Sequence, residues 1–283
     1  MAAFDTRHPA VPAVYVLLTL VLTMFAVQPV LVALSLLGAF AYGCASRGLR
    51  QCLGALRWQL PTIALVCLLN PLFSASGSTE LARMGSHAVY LESLCYGAVM
   101  GALFVASVLW FQAAADMLPF DKVMALAGNA APVITLMISM CMRMVPRFVR
   151  RGRQIAAVQD AAAGVAAAGV TPVQARLRQT HVLMGWSMED SLQTADAMRA
   201  RGWGAGVRRT TYTRYRFGAH DALALAVLCA SGAFCLLLAY VATSQFSFYP
   251  TMSRLLAWWG YVPYACWMLV PTAALLGERG AFA

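Results

Sequence analysis

Charge is what this chain has least of. Only 11% of its 283 residues are Asp, Glu, Lys or Arg, where a soluble domain carries roughly a quarter, and 61% are apolar. A water-soluble globular fold is excluded on that ground, and an all-α integral membrane protein is expected. Lysine is nearly absent. Lys122 is the only one and it follows Asp121, so no G-x-x-x-x-G-K-[ST] phosphate loop exists and the chain is not itself a P-loop ATPase. The G-x-S-x-G elbow, the H-E-x-x-H pair and the GxGxxG fingerprint are missing too. The eight cysteines, Cys44, Cys52, Cys67, Cys95, Cys141, Cys229, Cys235 and Cys266, include no C-x-x-C pair. Neither a zinc site nor a disulfide framework is indicated, and they read as small buried hydrophobes. His8, His87, His181 and His220 lie far apart without carboxylates at ligand spacing, so no metal is expected.

What is present is a series of apolar runs, at about Val11 to Val27, Val30 to Tyr42, Trp58 to Phe73, Ala88 to Ala115, Ala219 to Thr243 and Leu255 to Leu276. Each is near or slightly short of the roughly 20 residues that a helix needs to cross a bilayer, the second being the weakest. Apart from Glu92 and Asp221 near their predicted ends, the runs are almost free of ionisable groups, which argues against a carrier with its own proton or ion relay. No cleavable signal peptide is expected, because the first run follows Pro9 and Pro12 and leads into a second.

Arginine sets the orientation. The connection with Arg47, Arg50 and Arg57 is basic, and the segment from Ala113 to Phe217 holds fourteen of the twenty-one cationic residues. Both are therefore assigned to the cytoplasmic side. The loops at Ser74 to Ser86 and Ser244 to Ser253, poor in basic residues, are assigned outside. Six crossings with both termini inside satisfy all of this. The chain divides on this basis into N-terminal membrane helices (1–115), cytoplasmic or interfacial helices (116–217) and C-terminal membrane helices (218–283).

Within the central part, Thr171-Pro172 predicts a helix start, a capping side chain followed by a residue whose missing N–H costs nothing in the first turn. Leu177, Met184, Met188, Leu192 and Ala195 recur at helical spacing, with Arg176, Arg178, Glu189, Asp190 and Arg199 among the polar positions. This is an amphipathic helix that Gly202 and Gly204 end. A second amphipathic segment, Pro132 to Val158, passes from an apolar half into a basic half with Arg147, Arg150, Arg151 and Arg153, and Pro146 is expected to kink it. Its arginines suit anionic lipid headgroups. Met137, Met140, Met142 and Met144 read either as packing filler or as an adaptable surface for a partner. Between the two segments Gly164 to Val170 reads as an elbow.

The segment Gln193, Thr194, Ala195, Asp196, Ala197, Met198, Arg199, Ala200, Arg201, Gly202, Trp203, Gly204 resembles the signature of the T component, the transmembrane coupling subunit, of energy-coupling factor (ECF) ABC transporters of the CbiQ/EcfT family. Asn70-Pro71-Leu72-Phe73, Leu91-Glu92-Ser93, Tyr96-Gly97, Val145-Pro146-Arg147-Phe148, Arg209-Thr210 and Phe248-Tyr249-Pro250 fall in the order expected of that family. The resemblance implies about six transmembrane helices plus long amphipathic cytoplasmic coupling helices in a bacterial inner membrane. It implies a non-catalytic role as a scaffold between two ABC-type ATPases, which would bind ATP and magnesium, and a membrane S component that selects a vitamin or metal ion. No cofactor in this chain and no nucleic-acid partner are expected. The residues it points to for ATPase docking are Ala200, Arg201 and Gly202, supported by Arg199, Asp196 and Glu189. The surface for the S component, or packing, would include Met137, Met140, Met144, Met184 and Met188. Many members carry a second Ala-Arg-Gly on the earlier helix; here Ala161, Ala162 and Ala163 stand there without an arginine, a degenerate first motif. Two other classes stay open: a conventional ABC permease lining the solute path, and a membrane-embedded enzyme, for which Asp116 and Asp121 fit no recognised acidic pair.

Overall fold

A computed structural model describes residues 8–73, 78–84, 87–128, 131–166, 171–204, 217–249, 253 and 259–281. In chain order the elements are α1 (Ala10–Phe25), α2 (Pro29–Arg47), α3 (Leu49–Phe73), β1 (Glu80–Met84), β2 (His87–Tyr90), α4 (Leu91–Met117), α5 (Phe120–Ala127), α6 (Pro132–Ala166), α7 (Pro172–Ala200), α8 (Ala219–Ser244) and α9 (Tyr261–Ala281). They fall into two compact units, Met1–Val123 with Tyr215–Ala283, and Met124–Arg214.

Among the described residues, five helices are long and apolar enough to cross a membrane: α2, α3, α4, α8 and the stretch Pro132–Ala162 of α6. This set differs from the six sequence runs. At 16 residues, α1 spans about 24 Å at 1.5 Å per residue, short of a hydrocarbon core of about 30 Å. Helix α9 (Tyr261–Ala281) includes Glu278 and Arg279 near its end. Helix α6 qualifies because its apolar first half dilutes the arginines that follow.

The first unit is a bundle whose helices alternate in direction. At one end the aromatic rings of His8, before α1, and Phe217, before α8, meet edge to face at 5.2 Å. At the same end of α1 and α2 lies the α2–α3 turn, where Gly48 takes a φ of 91°. There Arg47 grips Asp116 at the end of α4 with Nε to Oδ2 at 3.0 Å and Nη2 to Oδ1 at 3.1 Å, and Nη1 donates to Gln112 Oε1 at 2.9 Å. The opposite end holds the α1–α2 turn, tied to the start of α9 by Gln28 donating to the Tyr261 hydroxyl at 2.5 Å. It also holds the start of α4, where Ser93 and Tyr249 hydroxyls are 3.5 Å apart and Tyr96 packs edge-on against Phe248. A cavity of about 130 Å³ beside Arg47 is lined by Tyr42, Gln51, Gln59 and Gln112 among others. Arg47, the cation among the described lining residues, is committed to Asp116 and Gln112.

Through the core runs a chain of hydroxyl and indole groups. The Trp110 indole donates to Ser35 Oγ at 2.9 Å, and Ser35 and Thr23 hydroxyls meet at 3.1 Å. The Trp267 indole donates to Thr19 Oγ1 at 3.0 Å, and the Tyr15 hydroxyl to the Trp267 carbonyl at 3.0 Å. Helices α1, α2, α4 and α9 are cross-linked by groups that water cannot reach, each bond contributing on the order of 0.6 kcal/mol by analogy with measured membrane helix pairs.

The all-α architecture stands, with one short hairpin beside the helices: β1 and β2 pair antiparallel, with Arg83 opposite Ala88 and Met84 opposite His87. Three expectations need correction. The fourth apolar run starts as a strand, and α4 begins only at Leu91. Glu92 fixes that start, buried in the first turn and accepting from the Ser78 and Thr79 hydroxyls at 3.0 and 2.7 Å, where the helix dipole favours an anion. The basic connection around Arg50 and Arg57 is part of α3, so the only break between α2 and α3 is Gly48. Finally, α6 does not stop near Val158 but runs on to Ala166, into the expected elbow. Residues 167–170 of the expected elbow, Arg209-Thr210 and Pro250 lie outside the described residues.

Helices α3 and α4 approach most closely at Gly97 and Gly101, four apart on one face of α4. A Cβ on Gly97 would lie 2.8 Å from Asn70 Cβ and 3.0 Å from Cys67 Cα; one on Gly101 would lie 3.1 Å from Ile63 Cα and O. The obstacles are backbone atoms and Cβ atoms fixed to them, so neither helix can yield without moving, which is the small-xxx-small device of membrane helix pairs. Leucine at Gly97 or Gly101 is expected to destabilise the detergent-solubilised chain by about 1–3 kcal/mol or more. Gly54→Ala, at an exposed helical position with nothing within 4 Å, is expected to be neutral or stabilising by up to about 1 kcal/mol. Thermal unfolding of the three variants measures this, and equal midpoints would remove the close approach as a determinant.

Candidate functional site

The second unit contains α6 and α7. Helix α7 starts where the sequence predicts. Thr171 caps it through a reciprocal pair, Gln174 N–H donating to Thr171 Oγ1 at 3.4 Å and Thr171 N–H to Gln174 Oε1 at 3.2 Å, a capping box that satisfies two free donors. Its 29 residues extend about 43 Å.

The end of α7 is defined by hydrogen bonds that the bare sequence only hints at. Helical residues stop at Ala200, Arg201 is the C-cap, and Gly202 has a φ of 80°. Trp203 N–H donates to the Met198 carbonyl at 2.9 Å and Gly202 N–H to the Arg199 carbonyl at 2.9 Å. These six-to-one and five-to-two bonds are a Schellman motif, which needs a left-handed residue at the position of Gly202. The arginine-glycine pair therefore has a structural logic: the glycine closes the helix and the arginine stands on its rim.

Around this tip Ala200, Arg201 and Gly202 are all exposed. Arg199 lies 4.0 Å from Asp196 with both side chains about four-fifths exposed, so the pair contributes little. Arg201 makes no ion pair among the described residues. Glu189 sits elsewhere, about 18 Å back along the helix, where its Oε1 accepts from Gln193 at 3.2 Å.

The apolar stripe of α7 is not the face that meets α6. Leu177, Met184, Met188 and Leu192 are 64–71% exposed. Contact with α6 uses another face: Gln179 Nε2 donates to the Gly152 carbonyl at 2.7 Å, Arg151 lies 4.6 Å over the Trp186 ring, and Asp190 is 3.9 Å from Arg147 and 3.7 Å from Arg151. Of the α6 methionines, Met137 is exposed while Met140 and Met144 are partly buried. Ala161 and Ala162 are exposed inside α6, and the helix also contains Ala163. Trp186, Gln179 and Gly152 were not singled out by sequence reasoning; the signal available was the four-residue spacing of Arg147 and Arg151 opposite that of Trp186 and Asp190.

Because φ at Gly202 is positive, Gly202→Ala is expected to cost about 1 kcal/mol locally, frayed into roughly fivefold faster amide exchange at residue 202 and Trp203. Gly185→Ala, mid-helix with open space around it, should not accelerate them. Hydrogen–deuterium exchange decides, and unchanged rates at the tip would mean that the glycine does not close the helix.

Compared with known proteins, the chain matches no family model, and no curated protein sequence matches it.

Proposed function

We propose that this chain is the transmembrane coupling subunit of an ECF-type ABC importer, joining two ATPase subunits to a membrane S component that binds a vitamin or metal ion. The observation that carries the reading is the tip of α7. The segment that resembles the family signature is an exposed helix end, with Arg201 on its rim and Gly202 letting a partner approach closely. Guanidinium forks suit carboxylates and helix-end carbonyls of a partner. The exposed stripe with Met184 and Met188 gives a membrane partner an apolar face that thioethers can adapt to. The alternating bundle supports six crossings with both termini cytoplasmic.

Cysteine labelling at Ser78 and Ser247 should come from outside and at Gln193 from inside; labelling of Gln193 from the outer face of intact cells would overturn the topology.

Docking itself is tested by co-purification of the ATPases at equal membrane expression. Arg201→Ala leaves a partner's groups unpaired and is expected to cost about 2–5 kcal/mol of assembly. Arg201→Lys keeps the charge without the planar fork and should rescue only in part. Full ATPase binding and transport by Arg201→Ala would make it a surface charge and move the coupling site elsewhere.

A further inference from the structure

Asp190 of α7 stands between two arginines of α6, and neither contact is a close hydrogen bond: the oxygens lie 3.9 Å from Arg147 and 3.7 Å from Arg151, beyond the range in which direction matters. A bidentate fork would lock one register. Here a single carboxylate is shared by two cations four residues apart, about 6 Å along the helix axis. The attraction changes slowly with distance, so what Asp190 loses from one arginine on moving it gains from the other.

The rest of the crossing permits that movement. Helix α6 presents Gly152 where α7 passes, and a Cβ there would lie 3.3 Å from Gln179 Nε2 and 3.7 Å from Leu183 Cδ1, so the glycine leaves a smooth surface. Gln179 reaches the Gly152 carbonyl through a flexible side chain able to follow a shift of a few ångströms. Trp186 under the Arg151 guanidinium biases the resting position toward Arg151. The geometry points to a sliding joint: Arg147 and Arg151 form a two-position track along which Asp190 lets α7 shift relative to α6 without losing its ion pairing. Asp190 is thus a positioning residue, acting on the α7 tip through the helix. Use of the joint to move Arg201 rests on the proposed coupling role; the joint itself does not.

The test uses the full chain alone in detergent or nanodiscs, without ATPases, so its outcome is independent of whether Arg201 docks. Spin-labelled non-natural amino acids at Val158 and Gln193, both exposed, leave the eight cysteines in place, and pulsed electron–electron resonance reads their separation. The two helices run antiparallel at the crossing, as Arg151 with Trp186 and Gly152 with Gln179 require. Arg151→Gln draws Asp190 toward Arg147 and should lengthen the distance; Arg147→Gln should shorten it, each by up to about 3 Å, half the spacing of the arginines. Asp190→Asn removes the rider and should make the distance insensitive to either arginine. Shifts of opposite sign that vanish in Asp190→Asn carry the proposal. No shift, shifts of one sign, or loss of a defined distance in both single variants would overturn it and make the arginines simple braces.

Discussion

The bundle depends on the hydroxyl and indole chain that passes from Trp110 through Ser35 to Thr23, with the parallel link from Trp267 to Thr19. In a hydrocarbon surrounding there is no water to take up an unpaired indole N–H, so each donor must find an acceptor on a neighbouring helix. That requirement fixes α1, α2, α4 and α9 in rotation as well as in distance. A helix turned by one residue would present its hydroxyl to lipid and strand its partner. Apolar packing alone specifies much less, since lipid tails are as good a neighbour for leucine as another leucine is.

Close packing then follows from small residues. Gly97 and Gly101 let α3 lie against α4, and Gly38 lets α2 meet Met268 of α9, whose Cβ would be 2.7 Å from an added one. The second unit is built on another principle. Between α6 and α7 the described polar contacts are a hydrogen bond from a side-chain amide, a cation over a ring and a shared carboxylate. Contacts of this kind tolerate displacement, whereas interlocked backbones do not. The fold thus pairs a close-packed bundle with a crossing held mainly by charge.

Much of this was legible in the residues. Thr171-Pro172 announced the start of α7 and Gly202 its end, because caps are local chemistry. The second apolar run looked weakest for the same reason that it is central: Ser35 and Gly38 lower its hydropathy, yet both sit at buried contacts with other helices. Hydropathy scores a residue against lipid and cannot see the partner that satisfies it. The hairpin before α4 was missed because Ala88 to Tyr90 is apolar and contiguous with the helix, and only Glu92, held by Ser78 and Thr79, marks the boundary. From the sequence Asp190 is one polar position of an amphipathic helix among several, since pairing between two helices is invisible until their faces are known.

The asymmetry between the two helix ends constrains any docking scheme. On α7 the positive-φ glycine stops the helix one residue after Arg201, so the side chain leaves from the last cap and the carbonyl end of the helix dipole lies beneath it, favouring a cation by about 0.3–1 kcal/mol. On α6 the alanines at 161 to 163 lie inside the helix, which continues to Ala166, and no arginine or terminating glycine gives them a comparable rim. If two ATPases bind this chain as proposed, they cannot be held by the same interaction. The α7 contact can use a guanidinium and an exposed cap, whereas a contact at Ala161 and Ala162 must rely on close approach of small side chains. Charge would then choose the partner at one site and shape at the other.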